Sequence, residues 1–273
     1  MMGTLAADEV GIWEMDLAGV DLDACRAVLT PEEIARSRRL SRPQQRDRQV
    51  RAWGQLRWLL GGLLRRSPRA LRFSRTAYGK PQLEETRLQF NLSHSGDRLV
   101  VAAAWDRPLG VDVERLRPVP RMTALARRCF APPELEAWQG LPAAARQRAF
   151  FRFWTLKEAF VKADGRGLAL GVTRCVFTLE PLALRAVPAE CGEVGDWQVW
   201  DWGRDGAHVA LCVRGSAPVR VRFRRLPAAW LSGAQTAAAE GVEDRGGTVE
   251  TAEGTGNRQE SRRGVEIAPY LQE

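Results

Sequence analysis

The sequence has no apolar run long enough to cross a membrane, and no basic start followed by an apolar leader. No stretch approaches the ~18 uninterrupted apolar residues of a membrane helix. Hydrophobic residues make up 45% of the chain and charged residues 27%, which is typical of a soluble globular protein. We therefore expect a cytoplasmic protein without membrane association. Its 273 residues are enough for one large core or two smaller ones.

Cysteine and histidine are also scarce. The five cysteines are scattered without CxxC spacing, which excludes a disulfide framework of the usual density. The only histidines are His94 and His208, and this argues against a zinc site built from His and Cys. We expect the cysteines to be reduced and to pack as small apolar residues.

Lysine is rare as well. Of 41 lysines and arginines, only Lys80, Lys157 and Lys162 are lysine. In a chain whose basic residues are nearly all arginine, we expect lysine where a compact, mobile ammonium group is needed. Two of the three lie in residues 151–164, a segment without Pro or Gly that is followed by Gly165. This composition predicts a helix.

One face of that predicted helix combines charge with apolar bulk. The residues that recur at helical spacing on it are Trp154, Lys157, Glu158, Val161 and Lys162. A salt bridge at the rim of the helix is the structural alternative. Because the scarce lysines are concentrated here, we favour a chemical role for this face.

The net charge of +8 is unevenly distributed. From Ser232 onward eight acidic residues stand against four arginines, a net of −4, so residues 1–231 carry +12. A basic body favours an anionic partner, such as nucleic acid, a phosphate-bearing small molecule or an acidic protein. Residues 232–273 are rich in Gly, Ala, Thr and Glu without periodicity, and we expect them to form a disordered tail.

Local patterns predict a mixture of helices and strands. Helices are predicted at residues 29–40, 44–64, 122–130 and 151–164. Strands are predicted at residues 11–17, three times within 88–114, and at 173–179, 197–202, 208–215 and 218–225. The Tyr-Gly-Lys-Pro turn predicts that Lys80 lies on an exposed loop.

Two short motifs predict sites for ions. In the Gly-Val-Asp-Val-Glu of residues 110–114, the strand period of two puts Asp112 and Glu114 on one face, where we expect them to be exposed. Carboxylates roughly 7 Å apart repel unless a cation lies between them, and such ligands suit Mg²⁺, with Mn²⁺ as the alternative. A plain exposed strand edge is the structural alternative. His94, flanked by Ser93 and Ser95, predicts an anion site.

A weak internal repeat relates two parts of the chain at an offset of 108 residues. The offset superposes Val101 on Val209, Val111 on Val219 and Val113 on Val221. It also superposes the predicted helix at 151–164 on the one at 44–64, and Arg220 on Asp112. Because the carboxylates occur in one copy only, we expect two similar lobes with a single site at their interface.

Four motifs occur in series: YGKP at residues 78–81, FNLSHSG at 90–96, GVDVE at 110–114 and FWTLKEAFVKADGRGL at 153–168. In this order and spacing they resemble the 4′-phosphopantetheinyl transferases, specifically the surfactin-synthetase-activating type. The resemblance runs from about residue 29 to residue 226. It implies an α+β (α/β) fold with a pseudo-twofold duplication, in which each lobe is a small, mostly antiparallel sheet packed with a long helix. The implied organisation is an N-terminal lobe at 1–115, a C-terminal lobe at 116–231 and a tail at 232–273, in a monomer.

The resemblance implies an enzyme that transfers 4′-phosphopantetheine from coenzyme A to a serine of an acyl or peptidyl carrier protein. The reaction uses Mg²⁺ and releases adenosine 3′,5′-bisphosphate. The implied metal ligands are Asp112, Glu114 and Glu158, and these act in catalysis together with Lys162. The residues implied at the coenzyme are Arg48, Lys80, Pro81, Ser93, His94, Asp112, Lys157, Glu158 and Lys162. The proton acceptor is left open between Glu158, Glu114 and a metal-bound water.

Two other classes of protein fit parts of the sequence. A basic nucleic-acid-binding module accounts for the charge of the body but leaves the clustered carboxylates and lysines unexplained. An inactive regulatory module on the same fold is disfavoured because every motif carboxylate and lysine is present. Binding of coenzyme A that depends on Mg²⁺ separates the enzyme from both alternatives.

Overall fold

The computed structural model describes residues 4–227, 229–231 and 250–252. Helices and antiparallel sheets both contribute, which confirms the predicted α+β class. The helices are α1 (Leu22–Arg26), α2 (Pro31–Ser37), α3 (Pro43–Leu64), α4 (Met122–Cys129), α5 (Pro132–Gly140) and α6 (Ala143–Asp164). The strands are β1 (Glu9–Asp16), β2 (Phe73–Arg75), β3 (Pro81–Leu83), β4 (Leu88–Ser95), β5 (Arg98–Trp105), β6 (Leu109–Arg115), β7 (Val176–Leu179), β8 (Leu182–Ala186), β9 (Trp197–Arg204), β10 (Ala207–Arg214), β11 (Arg220–Arg225) and β12 (Glu250–Ala252).

The two long helices, α3 and α6, have 22 residues each. Pro43 occupies the first turn of α3 and Pro142 precedes α6; proline suits a helix start because it has no N–H to leave unpaired. Gly165 ends α6 with φ 89°, and its N–H donates to the Val161 carbonyl at 3.0 Å. α6 begins at Ala143 rather than at the predicted residue 151, because the preceding Ala, Arg and Gln residues are strong helix formers.

Two sheets contain most of the strands. The first has the order β12-β11-β1-β5-β4 and the second has the order β6-β10-β9. β1 and β11 run parallel, whereas the other pairs in the described part of the chain run antiparallel. Two hairpins, β2–β3 and β7–β8, lie apart from these sheets.

The internal repeat is visible as an exchange of strands. β5 and β10 are equivalent under the offset, as are β6 and β11. β6 pairs with β10 in the second sheet and β11 pairs with β1 in the first, so each copy of the repeat contributes a strand to the sheet of the other copy. The predicted boundary at residue 115 therefore divides the chain but does not divide the sheets. The helices α3 and α6 begin 100 residues apart rather than 108.

The molecule is layered in the order α3, first sheet, second sheet, α6. Trp53 and Leu56 of α3 share a buried cluster with Val101 on one face of the first sheet. Its other face packs on the second sheet through a cluster that includes Val100 and Val111. The far side of the second sheet is covered by α6, whose aromatic residues form the third cluster. Gly110, Asp112 and Glu114 alternate with the valines of β6, and they therefore face α6.

The remaining expectations concern cysteines, membranes and the tail. All five cysteines are buried and unpaired, as expected. None of the helices in the described part of the chain is both long and apolar enough to cross a bilayer. The predicted disorder of residues 232–273 falls outside the described residues, apart from β12, which pairs with β11.

Candidate active site

The site is built where α6 lies directly on β6. A side-chain carbon added at Gly110 would stand 2.2 Å from the Ala159 carbonyl oxygen and 2.3 Å from the Ala163 nitrogen. Only glycine therefore allows this close approach of helix and strand. The approach brings Glu158 and Lys162, one helical turn apart, over the carboxylates of β6.

Asp112 and Lys162 form the centre of the site. The Lys162 Nζ donates to Asp112 Oδ1 at 2.5 Å and to Ser93 Oγ at 2.9 Å. The Ser93 hydroxyl donates to the same Asp112 oxygen at 2.7 Å. Asp112 is 4% exposed, so the expectation of an exposed carboxylate is wrong: α6 covers this face of β6. The other oxygen, Oδ2, is buried without a hydrogen-bond partner.

Polar side chains of β4 bridge the two sheets at this point. Asn91 Oδ1 accepts from the Val111 N–H at 2.9 Å, and Ser95 Oγ donates to Glu114 Oε2 at 2.8 Å. Arg117 Nη1 donates to the same Glu114 oxygen at 2.8 Å. Asn91, Ser93 and Ser95 recur at every second position of β4, so all three side chains lie on the face towards β6. This period of two could have identified Asn91 and Ser95 as partners of β6 from the sequence.

Burial and neighbouring charges shift the pKa values of Glu114, Glu158 and Lys162. Burial is the largest cause that raises the pKa of Glu158, to about 7, and the negative charges of Asp112 and Glu114 add to it against the attraction of Lys162. Burial and then Asp112 raise the pKa of Glu114. For Lys162, burial works against the charged form, but Asp112 and Glu158 outweigh it and raise the pKa. Glu158 Oε1 is buried without a hydrogen-bond partner.

Replacing Glu158 with glutamine should stabilise the protein at neutral and higher pH. Below about pH 4.5 both the folded and unfolded states hold the Glu158 proton, so wild type and variant should differ little. As the pH rises from 4.5 towards 7, Glu158 ionises in the unfolded state while the folded state keeps the proton, so the wild type loses stability. The variant's advantage should therefore grow to roughly 1–3 kcal/mol. Urea unfolding at pH 5, 6, 7 and 8 without divalent ions measures it. The exposed Glu136→Gln serves as the control, and a pH-independent difference for Glu158→Gln would contradict the assignment.

Lys157 does not lie with these residues. Its ammonium group is fully buried, 2.7 Å from Glu134 Oε2, and it donates to the carbonyls of Val172 at 2.8 Å and Cys175 at 2.6 Å. The contact of Lys157 with the coenzyme that the resemblance implied is therefore wrong, because its ammonium group is buried in the core. Successive helical residues point about 100° apart, so Lys157 enters the core while Glu158 faces β6.

Lys80 is also less accessible than the turn motif predicted. Its Nζ donates to the carbonyls of Leu109 at 2.9 Å and Ala163 at 3.2 Å, and burial lowers its pKa to about 8. The ammonium group thereby ties the start of β6 to the end of α6. Lys80 and Pro81 also line a cavity of about 250 Å³. The cavity also contains Tyr78, Gln89 and Asp164.

Arg48 and His94 lie on the other side of the centre. Arg48 Nε donates to Asp97 Oδ1 at 2.7 Å, which holds the guanidinium group beside the β4–β5 turn. His94 is exposed, yet desolvation by its surroundings lowers its pKa, and the positive charges of Lys162 and Arg48 lower it further. An anion would therefore meet several cationic or hydrogen-bonding groups here.

The structure thus brings together five of the residues singled out from the sequence: Ser93, Asp112, Glu114, Glu158 and Lys162. Arg48, His94 and the Lys80–Pro81 cavity flank them, and Lys157 lies apart. Within the described residues, no three His, Cys, Asp or Glu side chains are gathered as a ready metal-binding set. The two unpartnered carboxylate oxygens of Asp112 and Glu158 nevertheless fit a hard cation, because such oxygens are costly to bury alone.

Comparison with known proteins points to one family. A family model described as the 4′-phosphopantetheinyl transferase superfamily matches residues 108–212. The 4′-phosphopantetheinyl transferase HetI of Nostoc sp. is 38% identical over 194 residues, which are 68% of this chain and 82% of that protein. The 4′-phosphopantetheinyl transferase Sfp of Bacillus subtilis is 31% identical over 169 residues, 57% of this chain and 73% of that protein. A phosphopantetheinyl transferase of Thraustochytrium sp. is 32% identical over 190 residues, 63% and 66% of the two chains.

Proposed function

Since this chain belongs to the 4′-phosphopantetheinyl transferase superfamily, we propose that it transfers 4′-phosphopantetheine from coenzyme A to a serine of a carrier protein. The observation that carries the proposal is the cluster of Asp112, Glu158, Lys162 and Ser93, which forms where β6, β4 and α6 meet. Attack of a hydroxyl on a pyrophosphate requires charge neutralisation, positioning and a proton acceptor. This cluster contains groups suited to each requirement.

We propose that Asp112, Glu158 and Glu114 hold Mg²⁺, with Mn²⁺ as an alternative ion. The unpartnered oxygens of Asp112 and Glu158 support this choice, and so do the raised pKa values of Glu114 and Glu158. The ion would neutralise charge on the two phosphates of the coenzyme. Because Lys162 now occupies one oxygen of Asp112, its ammonium group is positioned to share that neutralisation.

The chain's own residues supply the proton chemistry. Without a bound ion the pKa of Glu158 is about 7, and we assign to this buried carboxylate the proton of the attacking serine. Glu114 is less suited, because Ser95 and Arg117 already donate to one of its oxygens. Lys162 stabilises charge on the departing phosphate.

The coenzyme's non-reacting end would lie across Ser93, His94 and Arg48. Nε and Nη2 of Arg48 donate to Asp97, so Nη1 points away from that carboxylate. A guanidinium group suits a phosphate. The cavity beside Lys80 and Pro81 offers room for another part of the coenzyme. Lys80 would act there by shaping the wall, since two carbonyl groups occupy its ammonium.

Replacing Arg48 with glutamine should raise the KM for coenzyme A roughly tenfold with little change in kcat, because it removes binding to the 3′-phosphate. With dephospho-coenzyme A, variant and wild type should have similar KM values. The control is Arg42→Gln, an exposed arginine just before α3. An equal rise in KM for both coenzymes would place Arg48 elsewhere.

Mass spectrometry of carrier proteins tests the function itself. Incubation with this protein, coenzyme A and Mg²⁺ should add the mass of one phosphopantetheine group to the carrier. Carriers whose acceptor serine is replaced by alanine should remain unmodified, as should reactions that contain EDTA. If no carrier is modified and coenzyme A does not bind with Mg²⁺ present, the proposal fails.

A further inference from the structure

A buried histidine that the proposed reaction does not use lies on the same face of the second sheet. His208 of β10 pairs in register with Glu114 of β6, so both side chains are on the face that α6 covers. The imidazole is 2% exposed, and neither ring nitrogen has a hydrogen-bond partner. A buried polar group without a partner destabilises the folded protein. This orphaned imidazole therefore needs a polar partner.

An arginine of α6 converges on it. Arg148 is exposed and makes no hydrogen bond or ion pair within the part of the chain that the structure describes. A side-chain carbon added at Gly203 would stand 2.8 Å from Arg148 Nη2 and 3.1 Å from His208 Cε1. The guanidinium and imidazole groups thus meet over Gly203, in space that any other residue there would fill.

These groups line a cavity of about 230 Å³ that opens beside the β9–β10 turn. Its volume is several times the ~30 Å³ of one water molecule, but it is below the range of about 300–1,000 Å³ that pockets for drug-sized ligands occupy. The nearby carboxylates are already paired: Asp205 accepts from Arg225 at 2.6 Å, and Asp201 is bound by Arg152. Arg148 is left as an unpaired cation at the wall.

The donors fit a small planar anion. Burial lowers the pKa of His208 to about 4, and Arg148 and Arg152 lower it against the opposing effect of Asp201, so the neutral ring offers one N–H donor at pH 7. A guanidinium group offers a fork that matches the two oxygens of a carboxylate.

We propose that the cavity between Arg148 and His208 is a binding pocket for a carboxylate group. The carboxylate belongs either to an acidic side chain of a partner protein or to a small free organic acid. The pocket lies one strand away from Glu114, on the side of the centre opposite to the Lys80–Pro81 cavity. An acidic side chain seated there would anchor a partner protein near the reacting groups.

Histidine NMR tests the pocket directly, because the chain has only two imidazole signals. Malonate added to the full-length protein at constant ionic strength should shift the His208 signal saturably, and His94→Gln identifies that signal. Arg148→Gln should weaken malonate binding at least about tenfold. Arg69→Gln, an exposed arginine after α3, is the matched control and should bind as wild type does.

Gly203→Ala provides a second variant, since its added carbon displaces the Arg148 and His208 groups without removing either. It should weaken malonate binding comparably. If the His208 signal does not saturate with malonate, or if Arg148→Gln binds it equally well, the cavity holds water alone and the proposal is wrong.

A kinetic comparison distinguishes the two sources of the carboxylate, and this part rests on the proposed function. If the natural ligand is an acidic side chain of the carrier, Arg148→Gln should raise the KM for the carrier roughly fivefold or more. The KM for coenzyme A should not change, and malonate should compete with the carrier. If it is a free acid, carrier KM should be unaffected while malonate still binds. Because the NMR titration requires no turnover, failure of the transferase proposal and failure of the pocket are separately visible.

Discussion

Asp112→Asn should lower kcat for phosphopantetheine transfer by roughly 10³-fold or more. The substitution removes the negative charge that fixes Lys162 at 2.5 Å, and it replaces the unpartnered Oδ2 that is suited to a cation. It also leaves a largely covered ammonium group without its anion. The sequence alone predicted an exposed carboxylate, whose loss would have little effect on stability. The structure instead predicts a stability loss of roughly 1–3 kcal/mol, reduced from that of a fully buried pair because Lys162 is 27% exposed.

A matched variant separates chemistry from stability. Asp201 lies on the same side of the second sheet, is 10% exposed and is bound by Arg152. Asp201→Asn should therefore cost similar stability while transfer remains close to wild type. Thermal melting with and without Mg²⁺ and coenzyme A adds a second readout, because the ligands should no longer raise the Tm of Asp112→Asn. If that variant keeps more than about a tenth of wild-type kcat, the assignment of the centre is wrong.

Local periodicity accounts for the part of the site that could be predicted. A period of two places Asp112 and Glu114 on one face of β6, and a spacing of four places Glu158 and Lys162 one turn apart. Those two rules need no knowledge of the partner element. Their predictions therefore do not depend on how the rest of the chain folds, and the structure brings these four residues together.

The same rules fail where a partner on a distant element determines the environment of a side chain. Lys157 shares a broad helical stripe with Glu158, but the stripe spans more than one face, and its partner Glu134 lies on another helix. Nothing local to residues 151–164 identifies that carboxylate. Lys80 fails similarly, since its two acceptor carbonyls belong to β6 and α6.

The arrangement of the sheets was also beyond local pattern. Alternation identifies β6 and β11 as strands, but it does not state which neighbour each will pair with. Each strand crosses into the sheet of the other repeat, and this exchange is a long-range choice. It matters for function because it carries Asp112 and Glu114 away from β5 and under α6.

Gly110→Ala should be the most destabilising single change near the site. The added carbon would stand 2.2 Å from the Ala159 carbonyl oxygen and 2.3 Å from the Ala163 nitrogen. Both atoms belong to the backbone of α6, which cannot yield as a flexible side chain can. The helix must therefore move away from β6, and we expect a loss of roughly 3 kcal/mol or more. For a chain of this size that corresponds to a Tm lower by about 6–12 °C.

Activity should fall further than stability requires, even at temperatures where Gly110→Ala is folded. Moving α6 carries Glu158 and Lys162 away from Asp112, and a misplacement of about 1 Å can cost roughly 10²-fold in rate. Gly140→Ala is the matched control, because a carbon added there meets no atom within 4 Å. That variant should melt and react as wild type does. If Gly110→Ala melts within 2 °C of Gly140→Ala, about the shift expected from 1 kcal/mol or less, then α6 is not held against β6 by the absence of a side chain. The placement of Glu158 and Lys162 over Asp112 would then lose its structural basis.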